Sequence, residues 1–151
     1  MATLQLPHWI WPTALMAVCG VTAWRGRDEE KLAAGAILAD WALSVFVARS
    51  TPVQDTQWGV LLVDTAQFAV LLWIAMRSTR FWPLTVSAFA LLQLVTHLAH
   101  AADPTVTGWS YFTAELIWSY LLLLTVGYGA WTAPYHWARP PWAAEEPGPA
   151  E

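Results

Sequence analysis

Five apolar runs follow one another along the chain with short polar links between them, at about 9–24, 32–48, 58–76, 81–101 and 109–131. Such a chain has few structural choices. Inside lipid a backbone N–H or C=O finds no water, so each run must form a helix that satisfies its own hydrogen bonds. The third run is the clearest, since at helical rise it covers about 28 Å, close to the hydrocarbon thickness of a bilayer. The first is the shortest, near the lower limit of about 17 residues for a span. Composition points the same way: 57% of residues are hydrophobic and 12% charged, where a soluble domain carries about 25%. The expectation is an all-α integral membrane bundle of five transmembrane helices, or four if the first run does not cross. Residues 1–133 form the bundle, and residues 134–151 form a Pro-rich acidic tail that cannot bury a core.

Punctuation between the runs supports this division. Arg25 to Lys31 reads as a hydrophilic loop whose acids Asp28 to Glu30 suit the start of the next helix. Asp40 interrupts the second run, and Arg49-Ser-Thr-Pro52 ends it. Phe81-Trp82-Pro83 opens the fourth run as an aromatic anchor with proline in the first turn, and Asp103-Pro104 closes it. Twelve tryptophans are present, and Trp9, Trp11, Trp24, Trp58, Trp73, Trp82, Trp109 and Trp131 fall near run boundaries, where indole favours the interface. Trp41 and Trp118 fall mid-membrane, where helix packing is the simplest account. The N-terminus lacks the positive region of a signal peptide and Ala2 does not fit myristoylation, so the first run is expected to be retained.

Lysine and arginine are distributed asymmetrically. With the N-terminus outside, Arg25, Arg27, Lys31, Arg77, Arg80 and Arg139 lie on the inner side and only Arg49 on the outer. The positive-inside rule therefore gives N-out, C-in, with the tail cytoplasmic. Without a basic stripe, and with a net charge of -4 that owes much to Glu145, Glu146 and Glu151, nucleic acid is excluded as a partner. Cys19, the single cysteine, has no partner for an intramolecular disulfide.

That orientation gathers polar residues that are scattered in sequence. Asp64 is six residues inside Trp58, Glu115 six inside Trp109, and His97 four before Ala101 with His100 beyond it. Ionisable groups from three helices thus share the outer third of the membrane. Gln93, His97 and His100 fall on one helical face, as do Asp64 with Gln67 and Glu115 with Ser119, while Asp40 lies nearer mid-depth. Such groups are costly in lipid and are expected to face inward as a polar cluster.

Three readings of the cluster stand open: structural hydrogen bonds that fix helix register; a metal site built from Asp64, His97, His100 and Glu115; or proton or small-ligand handling by an Asp–His pair. His97-x-x-His100 lacks the His-Glu-x-x-His pattern of a zinc hydrolase. A b-type haem is disfavoured because both membrane histidines lie on one run, His8 and His136 being terminal. No nucleophile elbow, phosphate loop or CxxC is present, so the reading leans against an enzyme and leaves the cofactor unknown.

Arg77-Ser-Thr-Arg-Phe-Trp-Pro83, Thr96-His97-Leu and Trp118-Ser-Tyr120 resemble small uncharacterised multi-span proteins of bacteria, which implies a bacterial inner membrane and no particular activity. In size, helix number and tryptophan content the chain is similar to the translocator protein family, which binds porphyrins and sterols. That family's Trp/Asn-rich motifs are not found here, so the similarity implies architecture alone. Short loops and an almost wholly apolar body lead to the functional expectation: a non-catalytic accessory or scaffold subunit, with lipid and other membrane subunits, or itself, as partners in a respiratory or photosynthetic complex. The alternative is a metal-, proton- or ligand-handling protein that works through the outer-side cluster.

Overall fold

The computed structural model describes residues 9–48, 57–103 and 105–133. The expected Pro-rich tail, with Arg139, lies outside the described residues, as do the first eight residues, Arg49 to Thr56 and Pro104. Five helices form: α1 (Ile10–Arg25), α2 (Asp28–Ala48), α3 (Trp58–Arg77), α4 (Trp82–Ala102) and α5 (Gly108–Trp131). No strand occurs among the described residues. The helices α2 to α5 are long and apolar enough to cross a membrane, which is consistent with a multi-pass membrane protein. At 16 residues α1 is shorter, about 24 Å at helical rise.

Each helix packs on its neighbours in chain order, α5 returns to α1, and α2 also touches α5 across the ring so formed. Leu15, Ala33, Ile37, Leu71, Ile74, Val86, Ala90, Leu122 and Val126 make the apolar centre. Small residues allow close approach, as polar-poor helix interfaces require: a Cβ at Gly129 would come within 2.7 Å of the Trp82 ring. Large apolar side chains face outward, with Phe46 at 74%, Leu62 at 73% and Met76 at 80% exposure, while Asp64, Gln67, Gln93 and His97 are buried. Water would favour the opposite arrangement, and lipid favours this one.

Two expectations change. Only Gly26 and Arg27 separate α1 from α2, so Asp28 to Lys31 belong to helix rather than loop. Three acids in the first turn complement the helix dipole, and the Glu30 carboxylate accepts the Arg27 backbone N–H at 2.8 Å. Trp82 opens α4 but turns into the bundle rather than outward: it is 5% exposed and packs over Gly129.

One end of the bundle is tied by charge. Glu30 is fully buried and paired with Arg80, whose guanidinium also donates to the Gly129 carbonyl at 2.8 Å. Ser78 Oγ donates to Glu29 at 2.8 Å. The α1–α2 turn, the α3–α4 turn and the end of α5 are thereby joined. The opposite end relies on local side-chain bonds: Thr107 Oγ1 accepts from Ser110 N–H, and Asp103 Oδ1 accepts from both Thr105 N–H and Oγ1–H. Those two bonds hold the exposed Asp103 carboxyl below the usual carboxylate range. Their contribution is present above the ordinary carboxyl pKa and is lost as pH falls through the lowered one.

Removing one partner from a buried ion pair leaves an uncompensated charge, so Arg80→Ala is expected to cost about 3–5 kcal/mol. Thermal unfolding in detergent checks this, and Arg80→Lys, which keeps the charge but loses the planar fork, should fall between.

Candidate functional site

At the end of the bundle away from the Glu30–Arg80 tie, the last turns of α2 and α4 meet the first turns of α1, α3 and α5. Each contributes side chains to a cavity of about 630 Å³. Its polar wall is built around His97, which is 1% exposed. His97 Nε2 lies 2.9 Å from Asp64 Oδ2 on α3 and 3.9 Å from Glu115 Oε1 on α5. His97 Nδ1 lies 2.7 Å from the Tyr111 hydroxyl, also on α5. With a neutral ring, Nε2–H donates to Asp64 and the Tyr111 O–H donates to Nδ1. With a charged ring, both nitrogens donate.

Helical spacing explains the convergence. Tyr111, Glu115 and Ser119 are four residues apart along α5 and form one stripe, which faces the Gln93–His97 stripe of α4. Gln93 Nε2 approaches Glu115 Oε2 at 3.4 Å and Ser119 Oγ at 3.5 Å, long contacts that orient without holding tightly. Ser119 Oγ–H donates to its own helix, at the Glu115 carbonyl. Asp40 reaches the same wall from α2, set beside the Asp64 carboxyl within hydrogen-bonding range and near Glu115. Two carboxyls from two helices thus flank one imidazole, and a third, from Asp40, lies near both of them.

Acceptors outnumber donors here. Asp40 Oδ1, Gln93 Oε1 and Glu115 Oε1 are buried without a hydrogen-bond partner, although buried polar atoms are nearly always paired. Among the described residues no lysine or arginine lines the cavity. The remaining wall is largely apolar: Trp11 lies against Trp41 with ring centroids 5.9 Å apart, and Val45, Phe112 and Leu116 complete it.

Not every residue expected at the cluster joins it. Donor atoms of Asp64, His97 and Glu115 all lie within 4.8 Å of one another. At metal–ligand distances of about 2.1 Å, tetrahedral neighbours sit roughly 3.4 Å apart, and the two distances from His97 bracket that value. His100 stands outside this group. Three residues further along α4, its ring stacks on Tyr111 at 4.5 Å and its Nδ1 is buried without a partner. Gln67 is buried one turn from Asp64 with an unpartnered Oε1, but does not line the cavity. Trp118 donates from its indole N–H to Thr96 Oγ1 at 3.1 Å and stacks on Phe89, so helix packing accounts for it.

Tyr111 was not among the residues singled out from sequence. Its position four residues before Glu115 was the available signal.

Tyr111→Phe removes the partner of His97 Nδ1 and strands a buried polar atom, at a cost of about 1–3 kcal/mol. His100→Phe keeps the stack and should cost less than Tyr111→Phe in the same thermal denaturation series.

No family model, no curated protein and no solved structure matches the chain.

Proposed function

We propose that this is a multi-pass membrane protein that binds a cation within the bilayer, with Asp64, His97 and Glu115 as the groups that take it. The observation that carries this reading is the surplus of buried acceptors: three carboxyls and the Gln93 carbonyl share one cavity with a single imidazole, and no described lysine or arginine lines it. Nothing in helix register requires so costly an arrangement, because polar contacts between membrane helices are worth only about 0.6 kcal/mol each. A bound cation offsets that cost, since it neutralises the carboxylates and satisfies their free lone pairs. A first-row divalent ion fits the spacing of the three donors and would keep a position open toward the cavity.

In this reading the basic loops lie in the cytoplasm of a bacterium and the cavity opens toward the outer leaflet of the inner membrane. A scaffold subunit of a larger complex is compatible with the apolar outer faces, which suit partner helices as well as lipid. It gives no reason for a hollow acidic interior.

The two roles predict opposite effects for Glu115→Gln. If Glu115 holds register, the change destabilises the bundle. If it waits for a cation, the change removes a repulsive charge and raises the melting temperature of the cation-free protein in nanodiscs. Added Zn²⁺, Mn²⁺ or methylammonium at a hundredfold excess over its dissociation constant should stabilise the wild type by about 2.7 kcal/mol. At least one of the three is expected to do so, and none should act on an Asp64→Asn, Glu115→Gln double variant. Destabilisation by Glu115→Gln, together with no response of the wild type to any of these cations, contradicts the proposal.

A further inference from the structure

We infer that the cavity takes an apolar molecule bearing one protonated amine, which arrives from the bilayer between α2 and α5. The inference rests on the cation-binding reading and narrows it from any cation to an organic one.

Volume is the first reason. A divalent ion with six waters occupies on the order of 200 Å³ at about 30 Å³ per water, whereas the cavity measures about 630 Å³. That is within the range of drug-sized ligand sites, roughly 300–1,000 Å³. The second reason is the division of the wall into two chemistries. Asp40, Asp64 and Glu115 lie near one another, and Trp11, Trp41 and Leu116 also line the cavity. A hydrated ion gains nothing from the apolar part, while an amphiphile uses both.

Donor count is the third reason. An ammonium group offers up to three N–H donors, and most of the unpartnered atoms lining the cavity are acceptors, Asp40 Oδ1, Gln93 Oε1 and Glu115 Oε1, beside the Ser44 hydroxyl and the Trp11 indole N–H. Gln93 sharpens this, being 5% exposed, lining the cavity and having an Oε1 with no partner. The aromatic rings nearby add a further attraction for a cation, strongest for indole.

Access follows from exposure. Val45, Phe112 and Leu116 line the cavity yet are 42%, 42% and 38% exposed, so they mark its mouth. All three are apolar, and they come from α2 and α5, whose neighbouring residues Phe46 and Ile117 are exposed as well. Those surroundings suit a ligand dissolved in lipid better than one dissolved in water.

The test uses the full chain in lipid nanodiscs, with protein-free nanodiscs as the blank for partitioning. Adamantylmethylamine is titrated against adamantylmethanol, its neutral counterpart, and tryptophan fluorescence is followed. Saturable binding of the amine is expected, roughly tenfold tighter than that of the alcohol, and weakened about thirtyfold or more by Asp64→Asn or Glu115→Gln. Leu116→Trp, which narrows the mouth and leaves every carboxyl in place, should weaken it without altering the response to Zn²⁺. Arg49 lies outside the described residues, so Arg49→Gln is included and should leave amine binding unchanged. Equal affinity for amine and alcohol, or amine binding that appears only in Arg49→Gln, overturns the inference. Stabilisation by Zn²⁺ without any amine binding overturns it too, while leaving the cation site standing; no response to either probe removes both.

Discussion

One imidazole ties the polar interior together. His97 belongs to α4, yet its two nitrogens reach Asp64 on α3 and Tyr111 on α5, with Glu115 near the first of them. In a medium without water such a contact is strong and hard to replace, because each partner left alone has nothing else to bond. The positions of three helices at one end of the bundle therefore depend on a single side chain. Carboxyls brought in beside it exceed what that side chain can satisfy.

The two ends of the bundle solve the problem of buried charge differently. At one end Glu30 has Arg80, and the pair also serves the α5 terminus through Gly129. Charge there is matched and the helices close on it. At the other end Asp40, Asp64 and Glu115 meet His97 and Tyr111 but no described guanidinium or ammonium, and the helices leave a cavity. Matched charge goes with packing, unmatched charge with space. A protein that needed only rigidity could have repeated the first arrangement at both ends; a protein that receives something positive needs the second.

Much of this architecture was legible in the sequence because lipid imposes simple rules. Length and apolarity located α3, α4 and α5 to within a residue or two, and i, i+3 and i, i+4 spacings put Asp64, His97 and Glu115 on polar faces whose donor atoms come together. What escaped had physical causes. Glu30 and Arg80 read as loop charges because their pairing links turns fifty residues apart, a contact no local pattern reveals. Trp82 read as an interface anchor because aromatic residues beside proline usually are; the bareness of Gly129, which lets the indole bury itself, was visible only in three dimensions. His100 shares a face with His97, but helical rise carries it one turn nearer the end of α4, where it meets the Tyr111 ring rather than the carboxyls. Asp40 read as a mid-membrane group, although its distance from the end of α2 is only slightly greater than that of Asp64 from the start of α3.

The central claim is that His97, itself buried in the cavity wall, sits between carboxyls from different helices. Solid-state NMR of the labelled protein in bilayers tests it directly, through magnetisation transfer from the His97 ring nitrogens to carboxyl carbons. A strong transfer from Nε2 to the Asp64 carboxyl, a weaker one to Glu115, and slow exchange of the ring protons with water are predicted. Ring protons that exchange rapidly, with no transfer to either carboxyl, would contradict the account.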